Sequence, residues 1–122
     1  MFNSLGSDII EVERIEQNIL RYGSRFLDRI FTPAEQNYCK KYKDASRHFA
    51  GRFAAKEAIV KALGTGISSQ VSWLDIEIMN DGHGKPIVEL SQKAQEHFGH
   101  PKLSLTISHC KEYALAVALC HS

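Results

Sequence analysis

Residues 49–66 read FAGRFAAKEAIVKALGTG. Nearly every position is apolar or small, yet Arg52, Lys56, Glu57 and Lys61 fall within about three turns of helix. A helix apolar almost all the way round is ordinarily buried, and burying four charges is costly unless they pair or meet a charged ligand. At about 100° per residue, Glu57 and Lys61 share a face, with Phe53 and Ala54 beside them. One carboxylate and three cations are thus held on a rigid core element. Gly51, Ala54, Ala55, Ala58 and Ala62 carry little or no side chain, so another backbone or a ligand can come close. Gly64-Thr65-Gly66 reads as the stop, with Gly64 suited to the left-handed conformation that ends helices. A Glu-to-Lys pair at this spacing is ordinary on an exposed helix. The apolar surroundings argue against that here.

Working outward, residues 4–10 predict a short strand that runs into a helix over 11–21, where Val12, Ile15, Ile19 and Leu20 keep a helical period. Residues 26–30 continue as a short turn or helix. Thr32-Pro33-Ala34-Glu35 is a helix start, with Thr as N-cap, Pro at N1 and Glu at N3, and that helix runs to about Tyr42. The central helix spans 46–63. Residues 73–79 then alternate Trp73, Asp75 and Glu77 against Leu74, Ile76 and Ile78, as a half-buried strand does. Asn80 to Lys85 form a turn, and 86–90 are the returning strand. A short helix over 91–98 capped by Ser91 follows, then strands over 102–109 and 113–120. The order predicts an α+β fold in a single domain, 1–122, with an antiparallel sheet on the long central helix.

The chain has 122 residues, enough for one core without staples. Fifteen Lys and Arg against 14 Asp and Glu give a formal charge of +1, which does not point to nucleic acid. Any phosphate recognition must come from local clustering. Cys39, Cys110 and Cys120 are odd in number and lack CxxC spacing, so neither a disulfide framework nor a zinc site is indicated, and a cytoplasmic setting is expected. No charged start precedes a long apolar run, and no segment approaches the roughly 18 apolar residues of a membrane span. A soluble, untargeted protein is expected.

Two further positions carry chemistry. Asp8, in Gly6-Ser7-Asp8-Ile9-Ile10, fits an N-cap with Glu11 at N3, and it equally fits a metal ligand. Ser108-His109-Cys110-Lys111 closes a strand with a hydroxyl, an imidazole, a thiol and an ammonium. It lacks the GxSxG elbow of a serine hydrolase, and His109 and Cys110, as strand neighbours, point to opposite faces. Gly64-Thr65-Gly66-Ile67 lacks the Lys-Ser/Thr of a P-loop and follows a helix rather than a strand.

Taken together, Gly6-x-Asp8-Ile9, then Gly51-Arg52-Phe53-Ala54-Ala55-Lys56-Glu57-Ala58-x-x-Lys61-Ala62-x-Gly64, then Ser108-His109-x-Lys111-Glu112-Tyr113-Ala114, resemble the three motifs of the bacterial holo-acyl-carrier-protein synthases, the short class of 4′-phosphopantetheinyl transferases. The resemblance covers essentially the whole chain, and the Phe-x-x-Lys-Glu-Ala-x-x-Lys motif is its most specific part. Ser7, where an aliphatic residue is commoner, and Ser108 and Cys110, in a region that often carries threonines, are the departures.

The resemblance implies the 4′-phosphopantetheinyl transferase fold. It also implies transfer of the 4′-phosphopantetheine arm of coenzyme A to a serine of apo acyl carrier protein, with Mg²⁺, in fatty acid biosynthesis. Asp8 and Glu57 are then the metal carboxylates, consistent with the one or two that Mg²⁺ takes beside phosphates and water. Glu57 would orient or deprotonate the serine, and Lys61 would offset pyrophosphate charge. Arg47, Arg52, Lys56, Lys61, Gly64, Ser108 and His109 are the expected coenzyme A contacts. A homotrimer with sites between subunits is implied, as is docking of the acidic carrier protein on the first helix through Arg14, Arg21 and Arg25. Two rivals stay open: a non-catalytic nucleotide or coenzyme A binding module, which would not need both carboxylates, and a Mg²⁺-dependent phosphohydrolase, in which water replaces the serine.

Overall fold

The structure is a computed structural model and describes residues 3–68 and 70–121. Strand β1 (Ser4–Glu11) leads into helices α1 (Val12–Tyr22), α2 (Ser24–Ile30), α3 (Pro33–Lys40) and the long α4 (Ala45–Ala62). A 3₁₀ turn at Trp73–Asp75 precedes β2 (Ile76–Asn80) and β3 (Pro86–Leu90). Helix α5 (Gln92–His97) and strands β4 (Lys102–His109) and β5 (Tyr113–His121) complete the described chain. The strands form a three-stranded antiparallel sheet in the order β1-β5-β4 and a separate β2-β3 hairpin.

Helix α4 is the centre of the core and packs chiefly against β1 and β5. Its Ala50, Ala54, Ala55, Ala58 and Ile59 are fully enclosed, as are Ala114, Ala116 and Ala118 on the facing row of β5. Small residues on both surfaces let the helix axis come close to the sheet. The approach is tightest at Gly6, where an added Cβ would stand 2.0 Å from the carbonyl oxygen of Ala58 and 2.6 Å from the amide nitrogen of Ala62. No side chain fits between β1 and α4 at that point. The two-residue period of the strand puts Asp8 in the same inward row, between the buried Gly6 and Ile10.

That row decides the open question about Asp8. The residue is mid-strand rather than a cap: α1 begins four residues later, its N-cap Glu11 makes no side-chain cap, and the Val12 amide is satisfied by Glu112 O at 2.8 Å. The Thr32–Glu35 capping box is present as expected. Helix α3 stops at Lys40, short of Tyr42, and residues 73–75 turn rather than extend, because Asp75 accepts from the Ser72 amide at 2.8 Å and from the Ser91 hydroxyl at 2.7 Å.

Candidate active site

Two polar clusters sit on α4. The first lies where Gly6 admits the strand. Lys61 Nζ donates to Ser7 O at 2.9 Å and lies 3.3 Å from Asp8 Oδ1. Glu57, one turn before Lys61, is half-buried there. Burial pushes its carboxyl above the usual range, the Asp8 charge pushes the same way, and Lys61 pulls back. Two carboxylates thus share one ammonium, a balance that leaves negative charge over and favours a cation. Among the described residues no three His, Cys, Asp or Glu side chains converge as a metal cage. Two carboxylates open to phosphates and water suit Mg²⁺ better than they suit zinc. Gly64, at the end of the helix, adopts the left-handed conformation expected of it, with φ +80°.

The second cluster lies on another side of the helix. Arg52 is five residues before Glu57, which on a 3.6-residue turn is about 140° round the axis. Its guanidinium lies 4.0 Å over the Tyr38 ring, and Nη2 donates to Asn80 Oδ1 at 2.5 Å. Arg47, five residues earlier, pairs with Asp44 at 3.0 Å. The Nε atoms of Arg47 and Arg52 are both buried without an acceptor among the described residues. His109 at the end of β4 stands edge-on to His48, ring centroids 5.1 Å apart, and His48 stacks on Tyr42 at 3.7 Å. Burial lowers the pKa of both imidazoles; His109 acts with Arg52 on His48, and Arg47 acts on both, in the same direction. Gly51 makes room, since a Cβ there would meet Ile107 Cγ2 at 3.1 Å. The cleft so formed holds about 170 Å³. Tyr38, His48, Arg52 and His109 line it, and a cationic, aromatic-walled cleft of this kind suits a phosphate-bearing ligand. Ser108 is exposed beside His109 on β4.

Lys56 departs from its expectation. It is fully buried, with Nζ 2.7 Å from Glu35 Oε1, 2.7 Å from Ile30 O and 3.0 Å from Trp73 O. All three ammonium donors are used, so none remains for a cofactor. Glu35 also accepts from Thr32 N and Ile78 N, both at 2.8 Å. The pair is an internal tie between α4, α3 and β2. Tyr38, Tyr42, His48 and Asn80 were not among the expected site residues. Only the aromatic spacing of Tyr38 and Tyr42 and the basic character of residues 47–52 hinted at them.

Exposed Arg14, Arg21 and Arg25 lie along α1 and the start of α2. Arg25 borders a groove of about 630 Å³ with Tyr22, Phe26, Arg29 and Trp73. Burial pushes the Cys39 thiol up to about 12, which removes it as a nucleophile.

A helix-centred antiparallel fold with paired carboxylates on one side and a cationic cleft on another is the arrangement of a phosphate-transferring enzyme. The chain belongs to the 4′-phosphopantetheinyl transferase superfamily, whose family profile matches residues 4–118. Its relatives there include holo-[acyl-carrier-protein] synthases. That of Protochlamydia amoebophila is 57% identical over 115 residues, covering 94% of each chain. That of Chlamydia pneumoniae is 53% identical, covering 94% of this chain and 93% of its own. Among solved structures, the Helicobacter pylori holo-[acyl-carrier-protein] synthase in complex with coenzyme A superposes with a TM-score of 0.88 at 37% identity, covering 96% of this chain and 99% of its own. The Neisseria meningitidis enzyme gives 0.89 at 34% identity, with 98% of both chains covered.

Proposed function

We propose that this chain moves the 4′-phosphopantetheine arm of coenzyme A onto a serine of apo acyl carrier protein and releases adenosine 3′,5′-bisphosphate, serving fatty acid biosynthesis in the cytoplasm. The observation that carries the reading is the close approach at Gly6, which sets Asp8 against Lys61 beside Glu57. In the reaction the serine Oγ forms a bond to the β-phosphorus of coenzyme A. The bond from that phosphorus to the bridging oxygen breaks, and the electron pair leaves with the adenosine bisphosphate. Glu57, its basicity raised by burial and by Asp8, takes the serine proton directly or through water. Lys61 offsets charge on the pyrophosphate as it departs. Asp8 and Glu57 would hold a Mg²⁺, which when bound supplies further neutralisation of the pyrophosphate.

Arg52, Arg47 and His109 hold the 3′-phosphate and adenine end. The Bacillus anthracis holo-(acyl-carrier-protein) synthase was solved in complex with CoA (3′,5′-ADP). One copy of the chain does not enclose that ligand. The cleft is smaller than the several hundred Å³ usual for a cofactor, and the two clusters face away from each other on α4. The outer face of the sheet is meanwhile apolar and bare, with Leu5 70%, Ile9 62% and Leu115 40% exposed. A homotrimer that covers this face and completes each site from two copies accounts for all three facts. The carrier protein docks on α1, where Arg14, Arg21 and Arg25 meet its acidic surface.

The two carboxylates disfavour a mere binding module, which gains nothing from crowding them. The test is kinetic. Asp8→Asn and Glu57→Gln should each keep the fold and lower transfer by at least about 10²-fold at saturating Mg²⁺. Near-normal turnover in either would remove the assignment.

A further inference from the structure

Helix α4 carries two buried cations and treats them in opposite ways. Lys56 is enclosed and neutralised by the Glu35 carboxylate at 2.7 Å. Arg52 is only 4% exposed, yet among the described residues no carboxylate pairs with it. Its partners are an amide oxygen, Asn80 Oδ1, and the face of Tyr38. Its Nε is buried, with no acceptor among the described residues. Leaving a buried guanidinium without a counter-charge is expensive, and the cost is recovered when a mobile anion binds.

The orientation of the Asn80 amide follows from its other end. Nδ2 donates to Gly84 O at 2.8 Å across the β2–β3 turn. Reversing the amide would set its NH₂ against the guanidinium and its oxygen against a carbonyl, so the network allows one orientation. The turn itself is braced: Asp81 Oδ1 accepts from the amides of His83 at 2.8 Å and Lys85 at 3.0 Å, and Gly84 takes φ +83°. A rigid hairpin therefore presents one neutral oxygen to Arg52.

We propose that Asn80 is a positioning residue of the coenzyme A site: a neutral acceptor that aims the Arg52 guanidinium, Nε free, at the 3′-phosphate of coenzyme A without cancelling its charge. The proposal rests on the reading of Arg52 given above. An aspartate of the same shape would keep the acceptor but compete with the phosphate. An alanine would leave the charge and lose the aim.

Calorimetric titration of the full chain with coenzyme A and with dephospho-coenzyme A, which lacks only the 3′-phosphate, separates these effects. For Asn80→Ala, coenzyme A affinity should fall about 10-fold and dephospho-coenzyme A affinity less than about 2-fold, the scale of one charge-assisted hydrogen bond. For Asn80→Asp, the preference for coenzyme A should fall further, and this near-isosteric variant carries the test if the alanine variant does not fold. Equal weakening of both ligands, or no change, in the folded variants overturns the proposal. Arg52→Ala distinguishes the layers. If it abolishes the preference while the Asn80 variants keep it, the role of Asn80 fails and that of Arg52 stands. If Arg52→Ala itself keeps the preference, the reading of Arg52 fails and the proposal with it.

Discussion

Gly6→Ala probes how β1 and α4 build the catalytic cluster. A Cβ at this position would lie 2.0 Å from Ala58 O, 2.6 Å from Ala62 N and 3.0 Å from Lys61 Cβ. The first two are helix backbone and cannot swing aside. To bring the oxygen contact from 2.0 Å to even 3.0 Å, the strand must retreat by about 1 Å from a core that has no slack. Overpacking of this kind costs about 1–3 kcal/mol, and backbone clashes belong at the upper end. Asp8 is two residues along the same inward row, so the retreat carries its carboxylate away from Lys61 and Glu57. A misplacement of about 1 Å costs on the order of 10²-fold in rate. Urea titration should therefore show the loss of stability, and steady-state transfer assays should show kcat falling far more than KM for coenzyme A rises, because Arg52 faces another side of the helix. Gly51→Ala is the control: its Cβ would meet a side-chain methyl, Ile107 Cγ2, at 3.1 Å. Methyl relaxation and better helix propensity should hold its net change within about 1 kcal/mol. A Gly6→Ala protein with wild-type stability and turnover would mean that the β1–α4 approach does not set the position of Asp8.

Lys56→Met should cost about 3–5 kcal/mol by stranding the buried Glu35 carboxylate, and the double variant with Glu35→Gln should recover a good part of it; equal losses in the single and double variants would mean the pair is not coupled. His48 and His109 have pKa values lowered from 6.5 in the fold, so the unfolded chain binds more protons as pH falls; their contribution to stability is present above 6.5 and should be lost as pH drops through and below that value in thermal melts. A bound phosphate favours the charged imidazoles, so coenzyme A binding should take up protons and tighten between about pH 7.5 and about pH 5.5, read by calorimetry in buffers of different ionisation heat; proton release on binding is the contrary result. Arg14→Glu should raise KM for carrier protein and leave that for coenzyme A nearly unchanged, with the difference shrinking as salt shortens the Debye length below about 8 Å; an unchanged carrier-protein KM would put docking elsewhere.

Most of the framework was legible in the sequence for identifiable reasons. The burial of α4 follows from its alanines, the start of α3 from Thr32 and Glu35, and the β2–β3 hairpin from alternation ahead of a turn that holds Gly82 and Gly84. Asp8 was ambiguous because D-x-x-E mimics a cap. The resolving signal was the two-residue spacing of Gly6, Asp8 and Ile10, which only matters once β1 is known to lie on the helix. Lys56 misled for a different reason. It adjoins Glu57 in one motif, but neighbours on a helix point about 100° apart, and its partner Glu35 lies 21 residues upstream, beyond any local rule. Asn80 was hidden because a turn explains an asparagine completely until Arg52 is seen against it. The 3₁₀ turn at Trp73–Asp75 broke an alternating pattern because Asp75 found backbone and hydroxyl donors nearby.

The proposed activity is transfer of phosphopantetheine from coenzyme A to a carrier-protein serine. Incubating the chain with coenzyme A, Mg²⁺ and apo acyl carrier protein, and reading the intact mass of the carrier protein, tests it most directly. A gain of one phosphopantetheine on the wild-type carrier is expected, with stoichiometric adenosine 3′,5′-bisphosphate, and no gain when the acceptor serine is replaced by alanine. Coenzyme A cleaved at the same rate with the alanine carrier, or an unmodified wild-type carrier, would contradict it and point to hydrolysis or binding alone.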